Sequence, residues 1–249
     1  MRSFLAAIMM FTRLPLWRFV QVDKKYYSNV LLYWPLVGFI TGFTTWAILY
    51  IVSTIGWADL PACILAIAAR LLLTGALHED GLADFFDGFG GGINKEKILA
   101  IMKDSHIGSY GTIGLIVYFF LYASFLYSLP TNALAGIIIG ADVLSKFATA
   151  FMINTLDYAR TEETSKTKVL YNPISLHKFM LMAVICIIPL YFLGTNFWAV
   201  IPMILITIGL RHYFKRKIGG YTGDCCGASV LLAEQAFYLG FFITTAPFL

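Results

Sequence analysis

Charged residues vanish from three long stretches of this chain, 26–58, 105–141 and 179–210. Each exceeds the roughly 20 apolar residues that cross the hydrocarbon core of a bilayer as a helix, and the last two are long enough for a pair. Buried helices of soluble proteins are seldom so long or so uniformly apolar. The pattern predicts an all-α fold, a polytopic integral membrane helical bundle. Turn signals at Gly56 and Pro61, at Pro130-Thr131-Asn132 and at Gly194-Thr195-Asn196 cut the apolar runs into hairpins. About seven spans result, near 29–52, 60–78, 111–129, 132–153, 179–195, 197–213 and 226–247. Residues 1–20 are apolar but interrupted by Arg13, Pro15 and Arg18, and no small-residue cleavage site follows. They read as an amino-terminal interfacial or re-entrant segment, not a signal peptide. No internal repeat or long linker divides the chain, so 1–249 reads as a single membrane-embedded catalytic domain.

Composition agrees: 13% of residues are charged, about half the ~25% of a soluble domain. The net charge of +4 is no nucleic-acid signal, because the basic residues sit between spans. Arg2, Arg13, Arg18, Lys24 and Lys25 precede the first span. Lys95, Lys97 and Lys103 follow the second, Arg160, Lys166, Lys168 and Lys178 the fourth, and Arg211, Lys215, Arg216 and Lys217 mark the six–seven junction. These are all but Arg70 and Lys146 of the 18 lysines and arginines, and an odd number of spans puts them on one side. That side is expected to be cytoplasmic, with the amino terminus inside, the protein being multi-pass in the cytoplasmic (inner) membrane. The four cysteines include no CxxC spacing and predict neither a disulfide framework nor a redox site.

The run TGALHEDGLADFFDG, 74–88, puts four carboxylates at the end of an apolar span. In a continuing helix Asp80, Asp84 and Asp87 stand at i, i+4 and i+7, on one face. Like charges crowded at a membrane interface are costly, and a hard divalent cation with oxygen ligands resolves the conflict. Mg²⁺ together with a phosphorylated substrate is therefore expected. Gly81, Gly88 and the glycines 90–92 allow backbone to approach a ligand. Zinc fits less well, since His78 and His106 lack the spacing of zinc ligands. Two further polar islands, KDSHIGSYG at 103–111 and GGYTGD at 219–224, enter spans from the same side. Each is expected to cap a helix, to bind an anion at its amino terminus, or both. For Asp224 the cap is the favoured reading. Inside the spans, Asp142 and Lys146 stand at i, i+4 and neutralise each other or serve a substrate. Arg70 pairs with a carboxylate or reaches a substrate phosphate.

The runs GALHEDGLADFFDGFGGG, IMKDSHIGSYG and GGYTGDCCGA, with FTRLP at 11–15 and WPLVG at 34–38, resemble the cobalamin (5′-phosphate) synthase family, the adenosylcobinamide-GDP ribazoletransferases. The similarity runs nearly the whole length in order. Glu79 stands where members usually carry a hydrophobic residue, and His106 where many carry Arg. The resemblance implies a late step of cobalamin biosynthesis: adenosylcobinamide-GDP is joined to α-ribazole or its 5′-phosphate, and GMP is released, with Mg²⁺. With the residue patterns above, Asp80, Asp84, Asp87 and Glu79 are the candidate metal ligands, and Asp80, Asp84, Asp87, Asp104 and His106 the candidates at the chemistry. Arg70, His78, Gly81, Gly88, Lys103, Lys146, Gly223 and Asp224 are the candidate substrate contacts. The corrinoid ring is expected at the membrane interface against Phe85, Phe86, Phe89 and Tyr110. The partners are the two substrates and the lipid bilayer, with no nucleic acid; a homo-oligomer stays open. The nearest rival is a CDP-alcohol-type membrane phosphotransferase. DFFDG, 84–88, fits the start of its motif, but no AR dipeptide or GxxxDxxxD continuation follows. A transporter is the rival of a different class, and clustered acids at one end argue against it.

Overall fold

The computed structural model describes residues 1–130, 134–160 and 171–245. Thr131 and Asn132 of the expected turn, Lys166, Lys168 and the loop tip 161–166 lie outside the described residues. The helices are α1 (Arg2–Phe11), α2 (Trp34–Thr54), α3 (Asp59–Thr74), α4 (Leu77–Gly91), α5 (Lys95–Ile101), α6 (Ser109–Ser128), α7 (Leu134–Ile153), α8 (Leu176–Leu193), α9 (Val200–Ile218) and α10 (Gly223–Thr245). A 3₁₀ segment, Lys24–Tyr33, leads into α2. No strand occurs among the described residues beyond an isolated bridge between Tyr158 and Tyr221.

Six helices are long and apolar enough to cross a membrane, and the bent pair α3–α4 raises the number to seven if it counts as one span. The second expected span, 60–78, is thus corrected in kind. α3 stops at Thr74, and α4 leaves at 92° to it. The cause is local: Gly75 (φ 66°) and Ala76 (φ 55°) both adopt the left-handed conformation, which ends a right-handed helix. The FTRLP segment braces this corner, since the Arg13 backbone N–H donates to the Leu73 carbonyl at 2.6 Å and the Arg13 side chain lies against Gly75. α1 is a short apolar helix near the same end, packed on the 3₁₀ segment.

α7 and α10 are the inner spans: 72% of the most apolar stretch of each is buried, against 22–33% for the other single-helix spans. α2 lies on α7 through two glycines one turn apart. A Cβ on Gly38 would stand 2.8 Å from Val143 Cα, and one on Gly42 would stand 2.9 Å from Ile139 Cα. Apolar burial gives no net drive between helices in lipid, so close backbone packing of this small-xxx-small kind does the work. α4 and α10 meet the same way, and this crossing positions the site.

Candidate active site

At the α4–α10 crossing each helix contributes a glycine to the other's backbone. A Cβ on Gly81 would lie 3.0 Å from the Asp224 carbonyl oxygen, and one on Gly227 would lie 2.9 Å from the His78 carbonyl oxygen. The first turns of α4 and α10 are thereby pressed together. Around them is a cavity of about 180 Å³ lined by Met10, Phe11, Trp34, Leu77, His78, Asp80, Tyr158, Arg160, Tyr171, Thr222, Gly223, Asp224, Cys226 and Gly227. Its walls come from the amino-terminal segment and the start of α2, the α3–α4 corner, the α7–α8 connection and the α9–α10 junction. Of the three polar runs, 74–88 and 219–224 meet at this cavity and 103–111 does not.

α4 is continuous from Leu77 to Gly91, and Asp80, Asp84 and Asp87 share a face at about 100° per residue. They do not share an environment. Asp80 is exposed at the cavity and Asp84 is half-buried. Asp87 is buried, and its carboxylate accepts the Gly108 N–H at 2.7 Å and the Gly111 N–H at 2.8 Å. It therefore closes the amino terminus of α6, where a negative charge meets unpaired N–H groups and the positive end of the helix dipole. Glu79 points away from the acid face into the bundle, 4% exposed. The structure does not bring it to the other three.

Other expected residues are also reassigned by position. Gly81 and Gly88 admit protein, not ligand: Gly81 faces the Asp224 backbone and Gly88 the Met102 side chain. Arg70 donates to both carboxylate oxygens of Glu234, at 2.6 and 2.7 Å, and to the Tyr122 hydroxyl at 2.7 Å. The carboxylate alternative is the arrangement observed. Lys146 pairs with Asp142, whose other oxygen accepts from Thr41 at 2.6 Å. Both pairs are buried in the bundle and line none of the cavity. Thr222, not Asp224, caps α10: its Oγ1 accepts the Cys225 N–H at 3.3 Å. Asp224 stands in the first turn, at the cavity with Gly223. Lys103, Asp104 and His106 are exposed on the α5–α6 connection. There the His106 ring lies 2.6 Å from Asp104, and hydrogen bonds from its ring and backbone hold the Asp104 carboxyl below its ordinary value. None of the three lines the cavity.

Phe85, Phe86, Phe89 and Tyr110 do gather, in an apolar groove of about 680 Å³ between α6 and α9. By helical periodicity the three phenylalanines project from the side of α4 opposite Asp80 and Asp84. The expectation that these aromatics adjoin the acids holds along the sequence and fails around the helix. Sequence reading missed Phe11, Trp34, Tyr158, Arg160 and Tyr171 as cavity residues. They lie far apart along the chain, and only FTRLP and WPLVG hinted at the first two.

A family model, cobalamin-5-phosphate synthase, matches residues 3–242. The chain belongs to that family. A protein of Shewanella sp. (strain W3-18-1) is 40% identical over 252 residues, covering 95% of this chain and 92% of its own length. A Shewanella putrefaciens protein aligns equally well, and one from Shewanella baltica (strain OS185) is 38% identical over 246 residues. All three carry the name adenosylcobinamide-GDP ribazoletransferase. No solved structure matches the chain. A match of this extent leaves the CDP-alcohol and transporter readings without support.

The donor set bears on the metal the family resemblance implies. Among the described residues no three His, Cys, Asp or Glu side chains gather into a cage. Asp80, on the cavity lining, and Asp84, one turn along α4, are hard oxygen ligands. That fits Mg²⁺, which binds through one or two carboxylates and completes its shell with water and substrate phosphates.

Proposed function

We propose that this chain joins adenosylcobinamide-GDP to α-ribazole or its 5′-phosphate, releasing GMP, in the cavity at the α4–α10 crossing. The observation that carries the placement is the convergence of Asp80, Asp224 and Arg160 on one cavity at the basic end of the bundle. Arg160 is held there by donating to the Leu99 carbonyl at 3.0 Å, and its remaining donors suit a phosphate oxygen. Asp80 and Asp84 would hold Mg²⁺, which when bound neutralises charge on the diphosphate. The amino-terminal turn of α10 adds the positive end of a helix dipole at Gly223. Within that frame a ribazole hydroxyl attacks the phosphate nearer cobinamide, and GMP leaves. A cavity carboxylate, Asp80 or Asp224, takes the hydroxyl proton. The closed glycine crossing keeps these groups in fixed register, which is what in-line displacement requires.

The basic end is proposed to face the cytoplasm, in the inner membrane, by the positive-inside rule. All four native cysteines are buried, so single introduced cysteines report cleanly. One at Asn94 is labelled from the cytoplasm and one at Asn196 from outside; the reverse would invert the site. The activity itself is tested on membranes containing the protein, given adenosylcobinamide-GDP and α-ribazole with and without Mg²⁺. Cobalamin and GMP appear in equal amounts only with the metal. Turnover that persists in chelator removes Mg²⁺ from the proposal, and no product in either arm removes the activity.

A further inference from the structure

One wall of the cavity is a stack of three rings that the catalytic argument leaves unused. Phe11 and Trp34 lie 5.0 Å apart and 16° from parallel, Trp34 and His78 6.0 Å and 20°, and Phe11 and His78 6.2 Å and 19°. They come from α1, α2 and α4, so three separate elements bring near-parallel rings into mutual contact at the cavity. Tyr158, Tyr171 and Met10 stand elsewhere on the lining. The second observation is polar. The Trp34 indole Nε1 and the His78 imidazole Nε2 have no hydrogen-bond partner, although Trp34 is 1% and His78 3% exposed. A buried polar atom left unpaired is costly, and of the buried side-chain atoms without a partner among the described residues these two are the ones on residues lining this cavity.

We infer that the Phe11–Trp34–His78 wall is the subsite for the heterocyclic base of the ribazole substrate. Each part of the inference follows from the chemistry of the wall. A planar heterocycle placed against near-parallel rings extends the stack, a sequence-tolerant contact because every base has a π-face. Both substrates carry such a base, guanine in one and a benzimidazole in the other. Guanine presents donors and acceptors along most of its edge, and burying it here would strand several of them against Met10, Phe11 and Cys226. A benzimidazole nucleoside presents a single unsubstituted ring nitrogen, an acceptor, and hydrocarbon elsewhere. Trp34 Nε1 is a donor only, and the two match one to one. The ribose then projects toward the rim, where Asp80 and Asp224 stand, which is where its hydroxyl must lose a proton.

This rests on the proposed transferase reaction, and the experiment separates the two. The protein, purified in lipid nanodiscs, is titrated with α-ribazole, with GMP, and with a ribazole analogue carrying C–H in place of the free ring nitrogen. Trp34→Phe and His78→Phe keep the stack and remove the nitrogens. Wild type is expected to bind α-ribazole at least tenfold better than the analogue, and Trp34→Phe to bind the two alike. In turnover, Trp34→Phe raises KM for α-ribazole about tenfold and leaves KM for adenosylcobinamide-GDP unchanged. The comparison of analogue and variant is internal to folded, binding-competent protein, so a loss of stability cannot mimic it. The inference is overturned if wild type ignores the analogue's missing nitrogen, if the variant weakens GMP instead, or if both substrates suffer equally. Binding with the expected pattern but without turnover would retain the subsite and reject the reaction.

Discussion

Two groups of charged residues sit in or against the membrane part of this molecule, and they are built on opposite principles. In the interior, Arg70 meets Glu234 and Tyr122, and Lys146 meets Asp142, which also accepts from Thr41, so each of these four charges has a counter-charge within hydrogen-bond reach. At the basic end, Asp80, Asp224 and Arg160 line a cavity, with Asp84 one turn along α4 from Asp80. The interior pairs tie α3 to α10 directly, and α2 joins α7 at Thr41 and Asp142. Ionisable residues inside spans are functional candidates by default. In this chain those in the middle are locks, and we place the chemistry at the end, where Asp80, Asp224 and Arg160 line one cavity.

The comparison breaks first at Arg70. Arg70→Gln leaves Glu234 buried with half its partners, and removing one member of a buried pair costs about 3–5 kcal/mol. The expected outcome is lost thermal stability and folded yield in detergent, read by fluorescence-detected size exclusion. The double variant Arg70→Leu/Glu234→Leu regains much of both, because no charge is stranded. If Arg70→Gln is as stable as the parent and only KM for adenosylcobinamide-GDP rises, Arg70 is a substrate contact and the division above is wrong.

The acid face answers to the opposite test. Asp80→Asn and Asp84→Asn remove charge with little change in volume, and each is expected to lower turnover about 10²-fold or more while folded yield stays at the parental level. Parental rates in both would make them ordinary solvated carboxylates. Loss of folded protein would make them part of the scaffold.

What could be read from the chain follows the range of the interactions. Spans are written in contiguous apolar runs, and the positions of most came through within a few residues. Two features of the second span did not. The 92° corner depends on Ala76 taking a left-handed conformation that its identity disfavours, and the FTRLP brace is contributed from sixty residues upstream. The partner of Arg70 is 164 positions away, so a lone arginine in a span left pairing and catalysis equally open. Glycines misled for a related reason. Gly81 and Gly88 do permit close approach, but what approaches is another helix. The face shared by Asp80, Asp84 and Asp87 was legible from their spacing. The division of labour among them was not, because Asp87's partners are backbone N–H groups that no side-chain pattern announces.

That division gives a smaller effect. Asp87→Asn replaces one acceptor oxygen by an amide nitrogen facing an N–H, and weakens the charge on the α6 dipole. The cost is of helix-cap size, about 1–2 kcal/mol, and is read as a lower unfolding temperature. Activity falls as the α5–α6 connection loosens, and substrate stabilises the variant as much as it does the parent. A fully stable Asp87→Asn with no activity would instead place Asp87 at the reacting phosphate beside Asp80.

The smallest effect is expected at His106, where sequence and structure pull apart most. Its position in the KDSHIGSYG run made it a candidate base, and a general base removed from its reaction costs ~10²–10⁴-fold. In the structure its side chain is 89% exposed, turned onto Asp104, and absent from the cavity lining. The contact has a definite pH sense. Asp104's carboxyl is held below its ordinary value by the His106 ring and backbone, so the interaction is complete above the unfolded carboxylate range. It is lost as pH falls through the lowered folded value, well below the range where a phosphoryl transferase is assayed. Near neutral pH the turn is therefore intact, and His106→Ala removes only a surface hydrogen bond whose backbone half, His106 N–H to Asp104 at 3.1 Å, remains. Turnover should stay within about threefold of the parent, far short of what loss of a base would bring, and its pH profile should not move. A large loss accompanied by disappearance of one limb of that profile would bring the α5–α6 connection over the cavity during catalysis and make His106 the proton acceptor in place of Asp80 or Asp224.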